Sequence, residues 1–407
     1  MIRIGNIGFE YEGCRRLREL TPLGSIEEVG TCGCTVRNGN DVYLDGLALF
    51  RHLKDKLGLE EGATILIWGC GAGDIITAAV AASMLGAYLT ISERCPEAPD
   101  IYRLVIAPKF SGGDLYISSD ELCAVILGER VSVSRPSAEF SHDTATFGFI
   151  SADHGTEQRE YYTELSLLTV GAEYISASSL LPSDKQLSIL PPFSRDGFIF
   201  GLLAPYMIGA NACYSPPSPT LPERVRDYSP TRLLCHPSVA RGLADECSRL
   251  DKTPIRREGS SATEIYKRFQ RLIRDNILSP RRTLKAVTVI GDLPSEVSGS
   301  LLELGIYHTS LLSFRGCPLA GYRYGKDESG VWRLPSSLSA DMCNVSAGGV
   351  GALTFCGSTV ADGVPDGFTF SPWKYRREYG GKVSVISDLY GFMLKKRRFF
   401  VKGRLNF

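Results

Sequence analysis

Apolar positions along the chain recur at two spacings, one helical and one extended. Leu47, Phe50, Leu53 and Leu57 fall at steps of three and four, which predicts a helix over residues 45–57. The apolar run 63–68 predicts a buried strand. A glycine-rich turn follows, then a small-residue helix over 75–85 and a second strand over 87–91, a β-α-β pattern. Further strands are predicted over 104–107, 122–127 and 146–150, and a helix over 160–180. Residues 187–190 read as a strand closed by Pro191 and Pro192, and 197–208 as an apolar helix ended by Gly209. After a proline-rich loop, a strand over 232–235, helices over 238–249 and 263–276, and a strand over 286–290 complete another α/β unit. From about residue 320, glycines, aromatics and short alternating runs predict antiparallel β structure.

The pattern predicts an α/β fold with helices packed on mixed sheets. Its units are an α/β subdomain over 1–180 with an extended N-terminal lead-in, a second α/β subdomain over 181–320, and a β-rich subdomain over 321–407. Composition agrees with a globular chain: 43% of the 407 residues are hydrophobic and 22% charged. Lys plus Arg and Asp plus Glu number 45 each, so total charge gives no reason to expect nucleic acid or an anionic membrane as partner. No apolar run is long enough to span a bilayer, and the first residues lack a secretory signal pattern, so the expected location is the cytoplasm. The 12 cysteines then read as mostly buried small hydrophobes. The one close pair, Cys32 and Cys34, lacks the further ligands a zinc site needs.

Six short segments carry candidate chemistry. They are Ile150-Ser151-Ala152-Asp153-His154-Gly155, Leu190-Pro191-Pro192-Phe193, Val289-Ile290-Gly291-Asp292, Ser313-Phe314-Arg315-Gly316-Cys317-Pro318, Ser387-Asp388-Leu389 and Gly403-Arg404. Their order and spacing resemble the large N-terminal domain of the adenylate-forming superfamily: acyl-CoA synthetases, fatty acyl-AMP ligases and peptide-synthetase adenylation domains. The resemblance covers roughly residues 40–407. It implies two α/β subdomains and a smaller β-rich one. In that frame Ser151 and Gly155 match the phosphate loop, Phe193, Ser194, Gly197 and Phe198 stand at the acyl pocket, and Gly291 stands in the turn near adenine. Phe314 stands where an aromatic stacks on the purine, Asp388 where an aspartate accepts the ribose hydroxyls, and Arg404 where an arginine approaches the ribose or phosphate. Residues 187–216 lean toward the fatty acyl-AMP ligases and hence toward a longer acyl chain.

Much of the family's ATP chemistry is replaced. A phosphate loop works through flexible glycines, hydroxyls and backbone N–H groups, whereas Asp153 and Glu157 set negative charge beside an anion. At about 4 Å and an effective dielectric near 20, each like-charge contact costs on the order of 4 kcal/mol. His154 and Arg159 offset part of this. Cys317 replaces a threonine, and Pro318 replaces the glutamate associated with magnesium, so magnesium is not expected. The sequence ends at Phe407, where the family continues into a small lid bearing a catalytic lysine.

The resemblance thus implies a divergent, lidless protein that lacks ordinary magnesium–ATP acyl adenylation. It would use the cleft for an acyl group, an acyl-carrier protein or another biosynthetic step, with an adenine nucleotide or acyl-adenylate as the possible cofactor. A second reading is an acyl-AMP ligase completed by a separate protein that supplies the lid. Cys317, His154 and Arg404 are the candidate catalytic residues. A third reading is a non-catalytic interaction subunit. A fourth rests on Gly69, Gly71 and Gly73, which resemble the first motif of S-adenosylmethionine-dependent methyltransferases, with Glu93 placed to bind ribose. Against it, Ile67 stands where that family usually has an acid. A hydrolase built on Cys317 and His308 is a further alternative.

Overall fold

Two sheets share one layer of buried helices. The computed structural model describes residues 2–3, 10–11, 16–20, 24–30, 33–108, 115–130, 145–153, 156–216, 228–251, 283–343, 345–346, 349–357, 360, 364–366, 369–371, 376–379 and 382–404. The first part of the chain forms β1 (Ser25–Gly30), β2 (Gly33–Asn38), α1 (Gly39–Arg51), β3 (Thr64–Trp68), α2 (Ala72–Leu85), β4 (Tyr88–Ser92), β5 (Leu104–Ala107), β6 (Leu115–Ser118) and α3 (Ser119–Arg130). Then come β7 (Thr146–Asp153), β8 (Thr156–Thr163), α4 (Glu164–Ser178) and β9 (Lys185–Ser188). A π-helical segment (Gly197–Leu203) continues as α5 (Ala204–Ile208), followed by β10 (Asn211–Tyr214), β11 (Arg232–Cys235), α6 (Pro237–Asp251), β12 (Ala286–Ile290) and α7 (Ser295–Glu303). The last part holds β13 (Tyr307–Phe314), β14 (Cys317–Tyr324), β15 (Val331–Arg333), β16 (Leu338–Cys343), β17 (Gly351–Gly357), β18 (Lys382–Leu394) and β19 (Arg398–Arg404).

The first sheet has the order β8-β7-β4-β3-β5-β6, parallel except for β8. The second runs β2-β1-β10-β9-β11-β12-β13-β14-β15-β19-β18-β17-β16. It is parallel from β1 to β13 and antiparallel from β13 onward. Parallel strands are covered on both faces, which is why β3 and β5 read as continuous apolar runs. One core joins Ile65 and Leu89 of the first sheet to Ala212, Leu234 and Leu311 of the second, through α2, α4 and the 197–208 helix. The small side chains of α2 let neighbours approach. A Cβ on Gly46 of α1 would lie 2.6 Å from Val80. Gly86 ends α2 at φ +70, a left-handed cap suited to glycine. A second core lies between the second sheet and α6 and α7, and a third around Trp332, Phe355 and Phe399. Among the described residues no helix is long and apolar enough to cross a membrane.

Two expectations change. The predicted strand over 122–127 is helix α3. Its apolar run fits either element, and a capping box decides: Glu121 N–H donates to Ser118 Oγ at 3.1 Å while Ser118 N–H donates to the Glu121 carboxylate at 2.9 Å. Residues 160–163 extend β8, and the helix begins only at Glu164. Within the extended N-terminal lead-in, residues 25–30 and 33–38 form strands. β1 and β2 join the far edge of the second sheet. The predicted helix over 263–276 lies outside the described residues, as does Cys32.

The α3 assignment has a direct check. Leu122 and Ile126 are buried whereas Ala124 is exposed, a helical and not a strand pattern. Ala124→Glu is therefore expected to change stability by less than about 0.5 kcal/mol, and Ile126→Ala to cost about 2–4 kcal/mol, both read from denaturant unfolding.

Candidate functional site

The chain turns sharply after β9. Pro191 O accepts from Ser194 N–H at 3.0 Å and from Ser194 Oγ at 2.7 Å. Ser194 Oγ in turn accepts from Gly197 N–H at 3.1 Å, so the serine caps the helix that follows. Position 197 requires glycine, because a Cβ there would stand 1.9 Å from Pro191 O. Phe193 is half-buried against the main core. Phe198 is fully buried, its ring 5.5 Å from Phe149 and 6.2 Å from Phe147.

Arg195 leaves this turn and gathers three parts of the chain. Its guanidinium pairs with Glu160 of β8 at 2.8 Å and with Asp196 at 2.8 Å. It also donates to Phe314 O at 2.9 Å and to Ser313 Oγ at 2.5 Å, at the end of β13. Ser313 Oγ donates to Asp196 at 3.0 Å. Glu160 also accepts from Tyr162 Oη and, at 3.3 Å, from Gly316 N–H. Burial works against the charge on Arg195, but Asp196 and Glu160 more than offset it and hold the guanidinium well above its ordinary range. The Tyr162 hydroxyl is likewise pushed well up, by burial first and then by Glu160.

The stretch resembling a phosphate loop forms an antiparallel hairpin. Ser151 pairs with Gln158, and Asp153 with Thr156. His154 and Gly155 lie outside the described residues. Glu157 accepts from Glu97 N–H at 2.7 Å and from Arg159 at 3.0 Å, so the carboxylate read as an obstacle to phosphate is tied to the protein. Gly291 sits at φ +120, and its N–H donates to Leu311 O at 2.8 Å. Phe314 is 8% exposed, its ring 5.3 Å from Phe355.

Cys317 is fully buried, and burial pushes its thiol up to about 12. His308 is buried at the other end of the hairpin, opposite Gly325, whereas Cys317 pairs with Phe314. Six residues of extended chain separate positions 308 and 314, about 20 Å, so the two do not form a nucleophile–base pair. The glycine turn after β3 is also closed. Glu28 of β1 reaches it and accepts from Ala72 N–H at 2.8 Å, and a Cβ on Gly71 would stand 2.4 Å from that carboxylate. Glu28 thus occupies the helix terminus where the methyltransferase reading needs its ligand. Among the described residues no group of three or more His, Cys, Asp or Glu is placed to hold a metal ion.

No protein-family model matches the sequence, and no curated protein matches it. Solved structures do match. VinN, solved with L-aspartate, is 14% identical, with 93% of this chain and 94% of that chain covered at a TM-score of 0.71. The N-terminal subdomain of Klebsiella oxytoca NpsA, solved with 3-hydroxybenzoyl-AMSN, is 13% identical over 96% of this chain and 100% of that chain, at a TM-score of 0.68. NpsA-ThdA, an artificially fused adenylation–PCP di-domain from the same organism, is 13% identical over 96% of this chain and 77% of that chain, at 0.68. The chain has the fold of an adenylate-forming N-terminal domain.

In the adenylate-forming frame the fold brings the 193–198 and 313–317 segments together through Arg195. Backbone register sets Arg404 opposite Leu389, the residue after Asp388. Arg195, Asp196 and Glu160 lie outside the residues picked out in the sequence, and Ser313 entered only as part of its segment. The available signal was a charged pair, Arg195-Asp196, set between a proline turn and an apolar helix.

Arg195→Met leaves Glu160 and Asp196 without their cation and is expected to lower stability by about 3–5 kcal/mol in denaturant unfolding. Iodoacetamide at pH 8 is expected to label the exposed Cys95 and Cys123 of the native protein but to spare Cys317, as read by peptide mass spectrometry. Burial, then Arg323, lowers His308 from 6.5 to about 4. The folded state therefore resists its protonation, and stability from this group is lost as the pH falls from 6.5 toward 4. The acid limb of a stability–pH curve is expected to flatten in His308→Gln.

Proposed function

We propose that this chain uses an adenylate-forming cleft to hold an acyl group or an acyl-carrier protein, for a biosynthetic step other than magnesium–ATP acyl adenylation. One observation carries the reading. The guanidinium between the acyl-side turn and the 313–317 turn is engaged by Glu160 and Asp196. A nucleotide phosphate arriving there meets carboxylates already matched to that cation, and competing for it would leave a buried carboxylate unpaired. Pro318 in place of the magnesium-associated glutamate and the register-paired hairpin in place of a glycine loop support the same reading. The fused adenylation–PCP di-domain among the similar structures supports a carrier protein as partner.

A second reading, an acyl-AMP ligase completed by a separate lid protein, draws on the placement of Asp388 and Arg404 on paired strands. Calorimetry and ATP–pyrophosphate exchange separate the two. Under the proposed function, acyl-pantetheine thioesters bind, ATP with magnesium does not, and no exchange occurs with any acid tested. Under the second reading, a non-hydrolysable acyl-adenylate analogue binds tightly and Asp388→Ala abolishes that binding. Pyrophosphate exchange by the wild-type chain overturns the proposed function outright.

A further inference from the structure

Behind the 291–294 turn, β13 and β14 bury a polar face among apolar neighbours. Ser310 and Arg323 are partners in the ladder, so their side chains leave the same face, and His308 lies two residues from Ser310 on that face. Val287 and Val289 of β12 stand beside His308 and Ser310 in register. His308, Ser310 and Arg323 are 4%, 0% and 5% exposed. Arg323 holds the turn: it donates to Leu293 O at 2.9 Å and pairs with the Asp292 carboxylate. Its guanidinium carbon lies 5.7 Å from the Trp332 ring.

Hydrogen-bond accounting leaves three atoms over. Ser298 Oγ of α7 lies 3.1 Å from Gly325 O and 3.1 Å from His308 Nε2. A hydroxyl has one proton. Gly325 O can only accept, so Ser298 donates to it and His308 Nε2–H donates to Ser298. His308 Nδ1 is then a bare acceptor. It, Ser310 Oγ and Arg323 Nε are buried and find no partner among the described residues.

These atoms specify their occupant. Arg323 Nε–H needs an acceptor, His308 Nδ1 needs a donor, and Ser310 Oγ takes either. An anion cannot donate to Nδ1. A cation is repelled by Arg323, and an apolar group leaves all three atoms unpaired. Water satisfies them together, and three partners are typical of an internal water. We infer that an internal water molecule is bound among His308 Nδ1, Ser310 Oγ and Arg323 Nε. It keeps Arg323 directed at Leu293 and Asp292, which makes Arg323 and the water positioning elements for the turn. The inference does not depend on the proposed function.

A high-resolution crystal structure of the 407-residue chain is expected to show an isolated peak about 2.7–3.2 Å from all three atoms. A dry site overturns the inference, as does an anomalous bromide signal there in halide-soaked crystals. Long-range proton–nitrogen NMR on the native protein gives an independent reading. The expected His308 spectrum is that of a neutral ring protonated at Nε2 with Nδ1 bare, and a ring protonated at Nδ1 overturns the assignment. Ser310→Val, which removes one partner, is expected to abolish the crystallographic peak with the fold intact. A peak that persists unchanged in that variant overturns the role of Ser310.

Discussion

A guanidinium buried between two sheets has to be neutralised where it sits. Arg195 meets that constraint by drawing Glu160 from one sheet and the end of β13 from the other onto its own turn. Removing such a charge from water costs several kcal/mol unless its hydrogen bonds are nearly complete, and here they reach two carboxylates, a carbonyl and a hydroxyl. The relative placement of the 191–197 turn and the 313–317 turn follows from that geometry. So does the chemical character of the space between them, which is ionic and already matched.

Packing explains why such a network can be held at all. The helices between the sheets are nearly all buried, and α2 in particular presents small side chains on every side. Close-packed small residues bring the sheets near enough for a side chain of one to bond to a turn of the other. The aromatics Phe198 and Phe314, which the family resemblance sets beside a ligand, take places in two separate cores. Aromatic rings bury large apolar areas, and these two rings are 0% and 8% exposed.

Arg323 repeats the same logic on a smaller scale. A buried cation grips the Leu293 carbonyl and the Asp292 carboxylate, while neutral His308 shares its face. The hairpin that carries both residues ends at Phe314 and Cys317. The two buried arginines therefore act on one β13–β14 ladder, Arg195 on Ser313 and Phe314 and Arg323 from the position opposite Ser310.

Local pattern by itself determined most elements here, because apolar spacing and glycine or proline stops act over a few residues. The β3-α2-β4 unit and strands β5, β11 and β12 were legible in this way. The order of the six motif segments also made the fold legible. The helix over 119–130 was legible too, in the Ser118–Glu121 box, but a continuous apolar run masked it. Only the tertiary structure decided that β1 and β2 close the far edge of the second sheet, that Glu28 fills the glycine turn, and that Cys317 and His308 stand at opposite ends of one hairpin. It alone joined Glu160 to Arg195 across 35 positions and Arg195 to Ser313 across 118. The physical reason is that charge pairing, burial and strand register depend on distance in space, and residues this far apart in sequence leave no periodic trace of their contact.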